Sequence, residues 1–258
     1  MKATTQQLLH QRSVGQLAFT MGISGPQILR ETGASKIRIP HGSHQAIVIN
    51  TGGGLAGGDK FNHTFGCEEG AILCLTSQAA ERVYQTLGPP AEIATQIGVE
   101  KDAQFFWLPQ ETILFNGASL ARTYTVTLAK AAKFLSIEPV VLGRTEMHEK
   151  ITAIQLKDRW RIWREGKLLH AEDLKMGPEL PVSLATLNGA HAMATVIYVA
   201  EDAETKLDAI RKFCAASAWN GKLIARFTAK DGYTLRKALI PAIKVLAGAE
   251  ALPKIWTA

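Results

Sequence analysis

The densest concentration of residues that could do chemistry is "AIVINTGGGLAGGDKFNHTF", residues 46–65, where five glycines fall within seven positions. Gly52, Gly54 and Gly57 satisfy G-x-G-x-x-G, the pattern of a dinucleotide-binding turn, with Gly53 and Gly58 beside them and Asp59 at the exit. That turn works by opening a helix whose N-terminus meets a pyrophosphate. Here the following "DKFNHTFG" alternates Phe61 and Phe65 with polar neighbours, which predicts a strand instead. The pattern without its structural context is weak evidence, and no Gly-Lys-Ser/Thr follows to make a phosphate-binding loop. A nucleotide-binding oxidoreductase built on Gly52–Asp59 stands as the alternative reading, and it requires a helix directly after Asp59.

Other chemistries have less to work with. His63, Cys67 and Cys74 are spaced by four and seven, which reads as two cysteines on opposite faces of one strand. A tight transition-metal site needs three or four clustered His or Cys ligands, so no tight metal site is expected. His41 and His44, beside Pro40, read as loop residues. No G-x-S-x-G occurs, and no cysteine sits in a nucleophile motif. The basic stretch "KDRWRIWREGK", residues 157–167, interleaves Trp160 and Trp163 with cations, as single-strand nucleic-acid binders do. Alternation gives a plainer account: Arg159, Arg161 and Trp163 point one way, and Trp160, Ile162 and Arg164 point the other. "REGK" then reads as a hairpin turn into "LLH".

The elements that must position these residues are mostly strands. Alternating or short apolar runs recur from residue 16 to 200, among them "QLAFTM", "QAIVIN", "AILCLTS", "QFFWLP" and "KFLSIEPVVLG", separated by Gly-, Pro- and Asn-containing turns. This predicts a mainly β architecture, although no fixed-period repeat is visible in the letters. "QAAERVYQTL", residues 78–87, reads as strand, or strand then turn. From residue 203 helical spacing takes over, with Leu207, Ile210, Phe213 and Cys214 forming one stripe. A second stripe of Leu235, Leu239, Ile243 and Leu246 predicts a helix capped by Thr234, kinked or split at Pro241 and stopped at Gly248. The expected organisation is one domain over 1–258: a β core over 14–200, a helical appendage over 203–248 and a tail over 249–258. With 47% hydrophobic and 20% charged residues the chain is globular in composition. No apolar leader opens it and no run reaches the roughly 18 residues of a membrane span. Three cysteines without C-x-x-C fit a reduced cytoplasmic protein.

Certain words in the chain carry a resemblance. "NTGGGLAGGD" followed by "LTSQAAERVYQ", then "FFWLPQETILFNGASL", "FLSIEPVVLGR", "WRIWREGKLLHAEDL" and the closing "LPKIW", resemble in matching order the urease accessory protein UreD (UreH) family. The likeness runs from about residue 14 to 256. One departure is "GRTEMHE", residues 143–149, where the family has a small residue at Thr145 and a glycine at His148. The resemblance implies a non-catalytic scaffold with a helix-like stack of sheets and a small C-terminal helical part. It implies partnership with UreF, the GTPase UreG and apo-urease during nickel insertion, with neither nucleic acid nor membrane involved. It also makes the glycine stretch a structural turn that sets Asp59 on a metal route. A protein that hands nickel on holds it weakly, without a tightly bound cofactor. Asp59, Glu138 and Glu172, with Thr76 and Ser77 as polar neighbours, are then the candidate transit residues. The plainer account of each acid is a solvated carboxylate or an arginine partner, and Arg144 with Glu149 reads as an internal ion pair.

Overall fold

The computed structural model describes residues 12–144, 149, 151–177 and 187–257. Two sheets face each other. The first has the order β14-β13-β11-β8-β5-β1-β2 and the second β16-β17-β15-β12-β9-β6-β4-β3. The chain winds between them: β5 (Lys60–Cys67) lies in the first sheet and β6 (Ile72–Ser77) in the second. β8 (Ala91–Val99) and β9 (Gln104–Trp107) repeat that step, as do β11 (Ser119–Leu128) and β12 (Lys133–Leu142). A short third face carries β7 (Glu81–Val83) and β10 (Thr112–Leu114), with β10 paired in parallel to β7 on one side and to the end of β12 on the other. Successive turns stack in parallel, through β1 (Val14–Gly22), β5, β8, β11 and β13 (Gln155–Arg164) in the first sheet. In the second sheet β4 (Gln45–Asn50), β6, β9 and β12 do the same. This is a β-solenoid-like stack. β5, β8, β11 and β13 begin at residues 60, 91, 119 and 155, so unequal connections hide the repeat from the letters.

Alternation sends every second residue inward. Phe19, Phe65, Ile97, Val126 and Ile162 are register partners on adjacent strands and all are buried. They meet Leu73, Phe105 and Phe134 from the second sheet in one core. β12 is buried along almost its whole length, because the first sheet covers one face and helical structure covers the other. Its largely apolar sequence, interrupted inside by Ser136 and Glu138, follows from that double burial.

Antiparallel strands close the ends. β2 (Gly25–Gly33) pairs with β1, β3 (Ser35–Arg38) with β4, and β14 (Lys167–Met176) with β13 through a hairpin whose turn residues Glu165 and Gly166 both have positive φ. β15 (Ala192–Val199) extends the second sheet beside β12. The expected outward and inward faces of β13 hold: Trp160 and Ile162 are buried, and Trp163 is exposed.

The C-terminal region departs from expectation. Residues 203–248 are not a helical appendage throughout. α1 (Leu207–Arg211) spans five residues, and the chain then turns into β16 (Ala215–Trp219) and β17 (Lys222–Ala229), which continue the second sheet. Phe213 and Cys214 lie beyond α1, in the turn before β16. An Asn220–Gly221 pair, both at positive φ, supplies the hairpin turn that overrides the helical spacing before it. α2 (Gly232–Ala247) is one helix with Pro241 inside it, not two. Its cap is Asp231, whose side chain accepts from the Thr234 N–H, so Thr234 is the capped residue instead of the cap. Gly248, at φ 89°, ends it as expected. Leu235, Leu239, Ile243 and Leu246 pack into the core outside the second sheet, with Phe106, Ile137 and Tyr198. The last residues are docked: Trp256 is buried and donates to the Leu108 carbonyl at 2.9 Å.

Candidate functional site

The glycine stretch is followed by strand β5 and not by a helix, which removes the structural requirement of the oxidoreductase reading. What the glycines do is steric. A Cβ on Gly54 would lie 2.5 Å from the Tyr84 ring and 2.8 Å from the Arg82 carbonyl, and Gly54 has φ 139°. A Cβ on Gly57 would overlap the Thr86 hydroxyl. The turn therefore lies directly against residues 82–90. Between these glycines Leu55 is fully buried and joins the third face, its N–H donating to the Arg82 carbonyl at 2.7 Å. Asp59 latches this arrangement. Its buried carboxylate accepts from the Ser13 N–H and the Ala56 N–H, both at 2.8 Å.

Beside the turn lies a cavity of about 200 Å³ lined by Ser35, Asn50, His63, Ser77 and Glu81, among others. Asn50 donates to both Glu81 carboxylate oxygens, at 3.1 and 3.2 Å, and to the Gly54 carbonyl. Burial pushes the Glu81 pKa up to about 7; the Asn50 hydrogen bond opposes that rise and the Asp59 charge adds to it. Burial takes the His63 pKa down to about 4, so its imidazole is neutral and meets the Ser35 hydroxyl at 3.1 Å. A carboxyl group and a neutral imidazole facing one cavity can engage a cation weakly.

From this cavity polar side chains continue along the interior. His63 is in register with Thr95, Thr95 with Tyr124, Tyr124 with Trp160, and Trp160 with Glu172. At about 4.8 Å per strand that row crosses roughly 19 Å. Midway, the Arg122 guanidinium donates to Glu138 at 2.6 Å and pairs with Asp158. All three are buried. Trp107 donates its indole N–H to Glu138 at 2.7 Å, and Tyr124 stacks on Trp160 with ring centroids 4.0 Å apart. Burial raises the Glu138 pKa against the pull of Arg122. Burial disfavours the Arg122 charge as well, but Asp158 and Glu138 outweigh it and hold the guanidinium firmly protonated.

Beyond Glu138, its register partner Thr195 and then Arg226, the register partner of Thr195, lead to Glu172. Arg226 donates to Glu172 at 2.5 Å and to the Thr195 hydroxyl, while His170 lies 3.4 Å from Glu172. Burial works against the Glu172 charge, yet the nearby His170 ring and the Arg226 guanidinium overcome it and bring the pKa down to about 2. These groups open into a cleft of about 520 Å³ lined by Glu172, Met176, Met193, Thr195 and Arg226, among others.

The structure therefore links Glu138 to Glu172 through Thr195 and Arg226 in one interior row, and places Ser77 at the cavity beside the glycine turn. Asp59 sits at the glycine-turn end with both carboxylate oxygens already engaged by the backbone. Thr76 is buried on the opposite face of β6 from Leu75 and Ser77, away from the track. Cys67 and Cys74 do not share a strand: one lies on β5, the other on β6, in different sheets and different cores. Burial pushes both thiols up to about 12, which makes them poor ligands at neutral pH. No cluster of three or more His, Cys, Asp or Glu suited to a metal occurs among the described residues. His41 and His44 lie in the loop between β3 and β4, as expected. Arg144 pairs with Glu149 at 3.1 Å as expected, whereas the departure at Thr145 and His148 lies outside the described residues. Arg159 and Arg161 both pair with Asp173, which accounts for the basic stretch as strand structure. No helix among the described residues is long and apolar enough to cross a membrane.

The residues that sequence reasoning missed are Glu81, Arg122 and Asp158. Alternation held the signal for two of them. Asp158 shares a face with Trp160 and Ile162, and Arg122 with Tyr124 and Val126, so both had to point inward.

Comparison with known proteins finds relatives along almost the whole chain. The sequence model of the UreD urease accessory protein family matches residues 14–257. A urease accessory protein UreD of Rhizobium johnstonii is 42% identical over 239 residues, 88% of each chain. That of a Chelativorans species is 42% identical over 240 residues, 89% of this chain and 87% of its own. That of Brucella suis is 40% identical over 253 residues, 93% of this chain and 91% of its own. A family model spanning residues 14–257 and relatives 40–42% identical over 88–93% of the chain place it in the UreD urease accessory protein family.

Proposed function

We propose that this chain is the scaffold subunit of urease maturation, joining UreF and the GTPase UreG and docking on apo-urease in the cytoplasm for GTP-dependent nickel insertion. The chain is an accessory protein and not an enzyme. Family membership supports the role in maturation. The observation that supports a part in nickel transit is the interior row of polar groups from Ser77, Glu81 and His63 through Glu138 to Glu172, framed by apolar sheets. Such a row offers a cation oxygen and imidazole contacts that are individually weak, so that it moves on instead of staying. Asp59 acts at one end by fixing the glycine turn and Thr76 by packing the wall.

The test is co-expression of this chain with UreF, UreG and apo-urease, followed by pull-down and urease assay. Wild type and Glu172→Gln should both co-purify with the partners, with activation reduced in the variant. Full activation by Glu172→Gln would remove the interior track from the mechanism. Loss of co-purification by the wild-type chain would remove the scaffold reading.

A further inference from the structure

The basic stretch over residues 157–167 is only half explained by its strand. Arg159 and Arg161 pair with Asp173, but Arg164 and Lys167 lie at the tip of the same hairpin without such a partner. They are register partners on β13 and β14, so two like charges stand opposite each other. That arrangement destabilises a strand pair. The second sheet brings a third cation to the same end of the stack. Its β16–β17 hairpin turns at Asn220–Gly221, and Arg164 donates from Nη2 to the Gly221 carbonyl at 3.1 Å. Beside it the buried Lys222 ammonium donates to the Leu169 carbonyl at 2.6 Å and lies 4.4 Å from the centre of the Trp219 ring. Burial, and then the Arg164 charge, lower the Lys222 pKa. The ion pairs of these strands join Arg159 and Arg161 to Asp173 and Arg226 to Glu172; among the described residues no carboxylate pairs with Arg164, Lys167 or Lys222. Glu204 reaches this end, but its Oε1 accepts from the Gly221 N–H.

Apolar side chains frame these cations. Trp163 and Leu168, themselves register partners, are 37% and 49% exposed, and Trp219 is 43% exposed. Tryptophan and arginine together are the residues on which binding energy concentrates in protein interfaces. A nucleic-acid strand needs a cationic groove several nucleotides long, whereas Asp173 neutralises the rest of the basic strand here. We propose that the two hairpin tips form a docking site for an acidic segment of a protein partner. Arg164 and Lys167 take its carboxylate, and Trp163, Leu168 and Trp219 cover an apolar side chain beside it. The Arg164 fork suits a carboxylate. Lys222 adds a charge already fixed by Leu169 and Trp219, so its ordering costs nothing more on binding. That the partner belongs to urease maturation rests on the reading above; the docking site itself does not.

Fluorescence anisotropy of the full chain with a short labelled peptide alternating Glu and Leu tests this, with the Gln-for-Glu peptide as its neutral counterpart. Wild type should bind the acidic peptide, more weakly as salt rises, and not the neutral one. Lys167→Gln, at an exposed position, should weaken binding about tenfold, and Arg164→Gln should do the same. Arg30→Gln removes an exposed cation from β2, at the opposite edge of the first sheet, and should bind as wild type does. Trp219→Ala should weaken binding while leaving its salt dependence unchanged. Circular dichroism checks that each variant is folded, and Lys167→Gln carries the test if Arg164→Gln is not. Undiminished binding by Lys167→Gln, or no binding by wild type, would overturn the proposal. Displacement of the peptide by inorganic phosphate at constant ionic strength would assign the site to a free oxyanion, and tighter binding of single-stranded DNA would assign it to nucleic acid. Either result would overturn the docking site. No arm of the experiment involves urease, so its failure leaves the maturation reading standing.

Discussion

Replacing Asp59 by alanine should unfold the glycine turn's support before it affects any cation. The carboxylate is 3% exposed and accepts two backbone hydrogen bonds, from Ser13 and Ala56, each at 2.8 Å. Hydrogen bonds to a charged acceptor contribute about 1.5–3 kcal/mol each, and a buried N–H left unsatisfied costs about 1–3 kcal/mol. Water entering the space left by the side chain offsets part of the loss. Asp59→Ala should therefore cost about 3–5 kcal/mol, a large share of the roughly 5–15 kcal/mol that holds a domain together. Urea denaturation followed by tryptophan fluorescence measures it as a lower midpoint at unchanged slope. Accelerated hydrogen exchange should concentrate at Ser13, Leu55 and Tyr84, the chain segments that the turn ties together. A loss below about 0.5 kcal/mol, with exchange unchanged at those amides, would refute the latch. Asp59 would then be free to act directly on cargo.

Three further outcomes follow from the same interior. The folded Glu81 pKa of about 7 exceeds the ordinary 4.5, so the folded state holds more protons between those values and loses stability as pH rises through them. Glu81→Gln should thus be more stable than wild type at pH 8, by up to about 3 kcal/mol, and little changed at pH 4.5, as paired melts would show. Equal melting differences at the two pH values would contradict the assignment. Arg122→Met leaves two buried carboxylates without their cation and should cost about 3–5 kcal/mol in urea titrations, with partial recovery when Asp158→Asn is added. Leu239→Ala, at a fully packed position between α2 and the second sheet, should cost about 2–5 kcal/mol; a cost under 1 kcal/mol would mean that the helix docks loosely.

The solenoid strands were legible in sequence because their environment is regular. β5, β8 and β11 each have one inward face, and alternation reports that face directly. β2 was invisible because "GPQILRETG" is largely exposed on both faces at the sheet edge, so no hydrophobic periodicity is imposed on it. β16 and β17 were masked by a genuine helical stripe just upstream, although Asn220–Gly221 marked their turn. Glu138 and Glu172 were reached through family resemblance, since an acid within an apolar run does not announce what it meets. Glu81 was missed because its burial comes from long-range contacts. Asn50 and the Gly54 backbone are far from it in sequence and arrive only when the glycine turn packs against residues 82–90. Local spacing holds no record of that approach.

The central claim is that urease acquires its nickel with the help of this chain. Nickel per urease active site, measured by mass spectrometry on urease purified from cells expressing UreF and UreG with or without this chain, tests it most directly. Near-complete loading with the chain and little without it is the predicted result. Equal loading in both would contradict the account.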